Sequence, residues 1–233
     1  MTISAKGAAE QIRKLGVDHG EAIRGLLNGV AAAHGTELPW PVSISGLPPV
    51  DTIAMVGEVH QLLLGGQSGK RGDQGSYYTP NPLAGFMARF TAEIEESRLA
   101  GVYPTDIVAI DPACGAGVML VQKAHALIGQ LLVAQAAQIN EMTGGHVPQD
   151  VVRRGLFADL ALDCIFGVDI DPVAVDITKT ALWLETDGSV PVTWMDGNVI
   201  AGNVLAGDLP PRFIERYDDN PPDIISEIAG GAG

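Results

Sequence analysis

The sequence predicts an α/β protein in which βαβ units feed a parallel sheet behind a helical N-terminal region. Three observations lead there. From residue 105 onward, short apolar runs alternate with helical stretches, the pattern of strands joined by crossover helices. One such run empties into a Gly-x-Gly turn and then a long apolar helix. Residues 5–34, by contrast, are rich in Ala, Leu, Ile and Gly and set their apolar residues at helical spacing. A chain of 233 residues has room for one α/β domain with an appendage, or for two small domains. The expected division is a helical region over residues 1–66 and an α/β domain over residues 67–233.

In chain order, Ile12, Leu15, Ile23, Leu26, Leu27 and Val30 predict one or two helices with a break between Gly16 and Gly20. Prolines from Pro39 to Pro49 cannot continue a helix and predict a linker. Asp51 is the expected N-cap of a helix over residues 52–64, ending at Gly65 and Gly66. Residues 66–76 are glycine-rich and polar, which predicts a mobile loop. A first strand is expected over residues 106–111, its crossover helix over 118–137, a second strand over 163–169 and a second helix over 173–185. A third strand is expected within residues 192–205, giving half of a doubly wound sheet.

Composition excludes several classes. At 46% hydrophobic and 18% charged residues, the chain lies far from disordered compositions. No apolar run is long enough to span a bilayer and no signal-peptide pattern opens the chain, so a cytoplasmic protein with no membrane partner is expected. Cys114 and Cys164 stand alone and the five histidines are scattered, which suggests neither a disulfide framework nor a metal site. The net charge is −14. Residues 1–90 hold seven basic and seven acidic side chains, so the excess sits in residues 91–233, and phosphate backbones are repelled unless a patch or partner offsets it.

The most informative segment is Asp-Pro-Ala-Cys-Gly-Ala-Gly, residues 111–117, between the first strand and its helix. Glycines there allow a tight turn and close approach to a ligand, and the N–H groups opening the helix favour an anionic group. A nucleotide-like ligand over the strand ends is one reading, and an ordinary strand-to-helix turn is the other. A dinucleotide fingerprint would need a third glycine where Leu120 stands, which weakens an NAD reading.

Residues 111–117 resemble the first motif of gamma-class adenine-N6 DNA methyltransferases, departing from the usual Asp-Pro-Ala-Cys-Gly-Ser-Gly only at Ala116. Upstream, Tyr77, Tyr78, Thr79 and Pro80 resemble the family's Tyr-Thr-Pro motif, and residues 58–64 are similar to the helix before it in type I and type IIG restriction-modification methylation subunits. Downstream, Phe-Gly-Val-Asp-Ile-Asp-Pro at 166–172 resembles the second motif, and Ala-Gly-Asn-Val-Leu at 201–205 the third. The match spans roughly residues 55–205.

The resemblance implies a Rossmann-like methyltransferase fold and S-adenosyl-L-methionine as cofactor. It places the cofactor against Asp111, Ala113, Gly115 and Gly117, with Asp111 near the ammonium of the methionine moiety. Tyr77, Tyr78, Thr79 and Pro80 would pack on the methionine end, and Ile170 would cover an adenine face. Asp169, ending the second strand, has lone pairs for both ribose hydroxyls, whereas Asp171 is better placed to cap the helix that starts at Pro172. Asn203 would read the adenine amino group, although an Asn in such a turn is also common without a ligand.

The catalytic motif departs most. The family carries Asn/Asp-Pro-Pro followed by Tyr or Phe, whose ring stacks on the flipped-out base. Asn220, Pro221 and Pro222 fall at about the right distance, but Asp223 follows and cannot stack. The charged run at residues 215–219 is also unlike a strand buried on both faces. Ten residues remain after Asp223, where a complete enzyme needs further strands and a target-recognition region. The sequence therefore predicts an incomplete adenine-N6 DNA methyltransferase, split, truncated or degenerate, that meets DNA through a partner chain such as a specificity or completing subunit. The competing expectation is a non-catalytic cofactor-binding subunit, and a weaker one is methylation of a protein or small molecule.

Overall fold

The computed structural model describes residues 3–40, 42, 44–65, 79–98, 107–134, 144 and 149–217. In chain order they form α1 (Ala5–Leu15), α2 (His19–Ala33), α3 (Ile53–Gly65), α4 (Asn81–Arg98), β1 (Ala109–Asp111), α5 (Val118–Ala134), α6 (Gln149–Asp163), β2 (Ile165–Asp169), α7 (Pro172–Glu185), β3 (Val199–Ala201) and α8 (Pro211–Arg216). Short 3-10 helices lie at Val192–Gly197 and Val204–Ala206. The loop expected over residues 66–76 lies outside the described residues.

Capping chemistry sets the helical boundaries. Ser4 Oγ accepts from the Gly7 N–H at 3.2 Å to open α1, and Gly16, at φ 66°, closes it in the left-handed region. Asp18 opens α2 by accepting from the Glu21 N–H at 3.0 Å, which also holds its carboxyl below the ordinary value. The break expected between Gly16 and Gly20 is thus a C-cap followed at once by an N-cap. At α3 the expectation is corrected. The helix begins at Ile53, so the residue at the cap is Thr52 and not Asp51, with Thr52 Oγ1 accepting from the Met55 N–H at 3.3 Å.

The three strands run parallel in the order β1-β2-β3, with Ala109 opposite Ile165 and Gly167 opposite Val199. Among the described residues, α5 and α6 both lie in the crossover between β1 and β2. This mixture of helices around a small parallel sheet is compatible with an incomplete methyltransferase fold.

β2 is buried on both faces, as a strand between helical layers must be. Ile165 joins Leu127 and Ile128 of α5, Leu160 of α6 and Leu182 of α7 on one side. Phe166 and Val168 join Val204 and Phe213 on the other, where Phe166 and Phe213 meet edge to face at 5.3 Å. A separate core gathers Ile12, Ile23, Leu27 and Val59 from α1 to α3 around Ile177 and Trp183 of α7. α7 is therefore the joint between the helical layer and the sheet. Arg24 Nε donates to Asp176 Oδ2 at 2.8 Å across the same joint. The proline-rich linker follows this surface, with Leu38 and Val50 buried against the helical core. Among the described residues, no helix is long and apolar enough to cross a membrane.

Asn198 fastens the sheet to α6. Fully buried, its Nδ2 donates to the carbonyls of Ala161, Leu162 and Ile165 at 3.1, 2.8 and 3.1 Å, while its own carbonyl accepts from the Gly167 N–H at 2.9 Å. An Asn198→Asp variant would turn a buried carboxylate onto three carbonyls. Chemical denaturation is expected to show a loss of about 3 kcal/mol or more, from unsatisfied acceptors and an unpaired buried charge.

Candidate functional site

The turn leaving β1 is shaped by two glycines with different constraints. Gly115 and Gly117 have φ of 53° and 77°. A Cβ on Gly117 would sit 2.9 Å from Thr178 Cγ2 and 3.1 Å from Thr178 Cα, whereas one on Gly115 would meet nothing within 4 Å. Gly117 answers to both conformation and packing, Gly115 to conformation alone, and the space beside Gly115 is open. The turn is stitched down from below: the Cys114 N–H donates to the Val168 carbonyl at 3.0 Å, and Thr178 Oγ1 donates to the Gly115 carbonyl at 2.7 Å. Burial, with the nearby Asp169 charge, pushes the Cys114 thiol well above its ordinary pKa, so this cysteine is an inert packing residue.

Asp169 ties this turn to the one after β2. Its Oδ2 accepts from the Gly115 N–H at 2.8 Å and its Oδ1 from the Asp171 N–H at 2.9 Å. Each oxygen keeps a lone pair for a further donor. Asp111 Oδ1 accepts from the Ala113 N–H at 3.1 Å. The Asp111 carboxyl is raised above the ordinary range by burial, and the Asp169 charge adds to this against the opposing Ala113 N–H. Among the described residues neither carboxylate has a cationic partner.

The remaining residues of this edge follow. Ile170 is 55% exposed, so it is not a core residue. Gly202 N–H donates to the Asp169 carbonyl at 2.9 Å, which brings the turn after β3 beside the end of β2. There the Asn203 Oδ1 accepts from the Leu205 N–H at 3.0 Å, capping its own 3-10 turn, and only its second lone pair is left for another donor. Asp171 caps α7, accepting from the Val173 N–H at 2.9 Å ahead of Pro172. Asp111, Ala113, Gly115, Gly117, Asp169, Ile170 and Asn203 thus share the carboxyl edge of the sheet.

Thr79 and Pro80 lead into α4, where the Pro80 carbonyl accepts from the Leu83 and Ala84 N–H groups at 3.0 Å. Asn81, next in the chain, lines a cavity of about 470 Å³ together with Ala116, Val118, His34, His125 and Glu185. That cavity lies on the helical side of the glycine turn, and none of Asp111, Asp169, Ile170 or Asn203 lines it. It is separate from the strand-end site. Tyr77, Tyr78, Asn220, Pro221 and Pro222 lie outside the described residues.

Two features were not singled out in the sequence. Thr178, fully buried in α7, supports the glycine turn from behind. His60, in α3, stands with its Nε2 3.1 Å from Asp171 Oδ2. Their only trace in the sequence is a polar residue interrupting an apolar helical pattern, which many helices show.

Comparison with known families places residues 51–186 in the N-6 DNA methylase family, a match over more than half of the chain. The chain belongs to this family, and the match supports DNA adenine methylation as its activity in general. It covers the glycine turn and the end of β2 and stops before Asn203 and Asn220. Comparisons with curated proteins and with solved structures find no match.

The two glycines predict different costs. Gly117→Ala, which adds a clash with Thr178 to an unfavourable φ, should lower stability by about 3 kcal/mol, and Gly115→Ala by about 1 kcal/mol. Urea denaturation of both variants checks the order.

Proposed function

We propose that the chain is the cofactor half of an S-adenosylmethionine-dependent DNA adenine-N6 methyltransferase of the gamma class, of the kind found in type I and type IIG restriction-modification systems. The observation that carries this reading is the pair of carboxylates at the ends of β1 and β2, without a cationic partner among the described residues and facing an open glycine turn. A ligand bearing an ammonium and a sulfonium relieves the repulsion between Asp111 and Asp169, and a neutral nucleotide does not. When bound, S-adenosylmethionine supplies an electrophilic methyl group.

The chain's own groups have separate tasks in this reading. Asp169, already oriented by two backbone N–H groups, accepts from the ribose hydroxyls through its free lone pairs. Asp111 holds the ammonium, and Ala113, Gly115 and Gly117 present the turn backbone. Ile170, exposed at the rim, covers an adenine face, and the remaining Asn203 lone pair accepts from the adenine amine. Tyr77, Tyr78, Thr79 and Pro80 flank the methionine end. Asn220 with Pro221 and Pro222 is the proposed acceptor for the target amine protons. Direct transfer needs no covalent nucleophile, and the rate comes from positioning and from acceptors aimed at the amine.

A second reading, a cofactor-binding subunit inactive without a partner chain, is favoured by one observation. Among the described residues no strand follows β3, and α8 with its charged end occupies residues 211–216. The acidic excess after residue 90 agrees, because DNA affinity then comes from a basic completing or specificity subunit.

Isothermal titration with S-adenosylmethionine tests the cofactor assignment. Binding is expected, Asp169→Ala should weaken it at least tenfold, and absence of heat with folded protein overturns the assignment. The ionised Asp111 is the binding form and its pKa is raised, so affinity should fall with decreasing pH from above the ordinary carboxylate range, and Asp111→Asn should flatten that dependence. Methyl transfer to duplex DNA by this chain alone would remove the second reading. Transfer only with a completing chain would establish it.

A further inference from the structure

His60 is 1% exposed on a face of α3 shared with the buried Val56, Val59 and Leu63. An imidazole in such a place is costly to desolvate unless its nitrogens are engaged, so an apolar residue would serve packing better. One nitrogen has a hydrogen-bond partner and the other only a charged neighbour. Nδ1 lies 3.0 Å from His19 Nε2 at the start of α2, and Nε2 lies 3.1 Å from Asp171 Oδ2 as an ion-pair contact rather than a well-aligned hydrogen bond. Burial works to raise the Asp171 carboxyl, yet the contact and charge of His60 and the Val173 N–H outweigh it and hold it below the ordinary value.

The far end of this series matters most. Asp171 caps α7 through Oδ1, and its own N–H is one of the two donors that orient Asp169. Oδ2 is the Asp171 oxygen left over from the cap, and His60 is what holds it. We propose that His60, steadied by His19, is a positioning residue for the cofactor-binding carboxylate: it fixes Asp171, hence the Asp171 N–H, hence Asp169. The N-terminal helices then do more than cover α7, because two of them reach the site through this series. The inference rests on the cofactor reading above, but its geometric half concerns the ligand-free chain.

The test uses His60→Leu, which fills the space without a donor, His60→Gln, which keeps a donor near the Nε2 position, and Asp171→Asn, which breaks the ion pair from the other side. In the ligand-free protein, amide hydrogen exchange at Gly115 and Asp171, the two N–H groups bound to Asp169, should quicken about tenfold in His60→Leu and Asp171→Asn. It should stay near wild type in His60→Gln. S-adenosylmethionine affinity should fall about tenfold in the first two, recover to within about threefold in His60→Gln, and fall no further in the His60→Leu/Asp171→Asn double variant. If His60→Leu does not fold, Asp171→Asn and His60→Gln still decide. Equal losses in His60→Leu and His60→Gln would assign His60 to packing and overturn the proposal. So would unchanged exchange at Gly115 and Asp171 in the variants. A wild-type chain that takes up no cofactor while the exchange pattern holds would overturn the cofactor reading and leave the positioning role standing.

Discussion

One carboxylate holds the carboxyl edge of this sheet together. Asp169 accepts a backbone N–H from the turn after β1 and another from the turn after β2, and its own carbonyl receives the Gly202 N–H of the turn after β3. Three loops that diverge in sequence are bound to a single residue. Charge-assisted acceptance from backbone donors makes such bonds about twice as strong as neutral ones, and the same residue stays available on its solvent side. The glycine turn, the α7 cap and the β3 turn keep their relative places because of it.

The cost of this arrangement is electrostatic. Asp111 lies close enough for the Asp169 charge to help raise its pKa. The two carboxylates stand beside an open glycine backbone, and the Asp169 charge adds to the cost of ionising Asp111. Beneath them the chain is tightly constrained: Thr178 braces Gly115, Cys114 is bonded to β2, and Asn198 locks β2 to β3 and α6. The turn is thus open beside Gly115 and braced on the side of Thr178.

Where the sequence could be read, a strong local signal and the tertiary context agreed. The apolar runs at 106–111 and 163–169 contain β1 and β2 because strands buried between layers must be apolar, and Asp171 caps α7 as its place before Pro172 implies. α4 was not legible, and its packing explains why. Its buried face consists of Ala84, Ala88 and Ala92, while Leu83, Phe86, Met87 and Phe90 point outward, so the large apolar residues mark the wrong side. α6 was obscured by Arg153, Arg154 and Gly155 in its middle. Asn203 was legible as a turn residue, but that its amide oxygen is half used in capping was not. His60 and Thr178 could not be found, because their significance lies in partners 111 and 63 residues away along the chain, Asp171 for the first and Gly115 for the second.

The most direct test follows backbone amide resonances while S-adenosylmethionine is titrated into the isotope-labelled chain. Shifts concentrated at Gly115, Gly117, Ile170 and Asp171 are the predicted result, since those groups surround the two carboxylates. Shifts confined to the cavity lined by His34, His125 and Glu185, with the strand-end amides unmoved, would contradict the account.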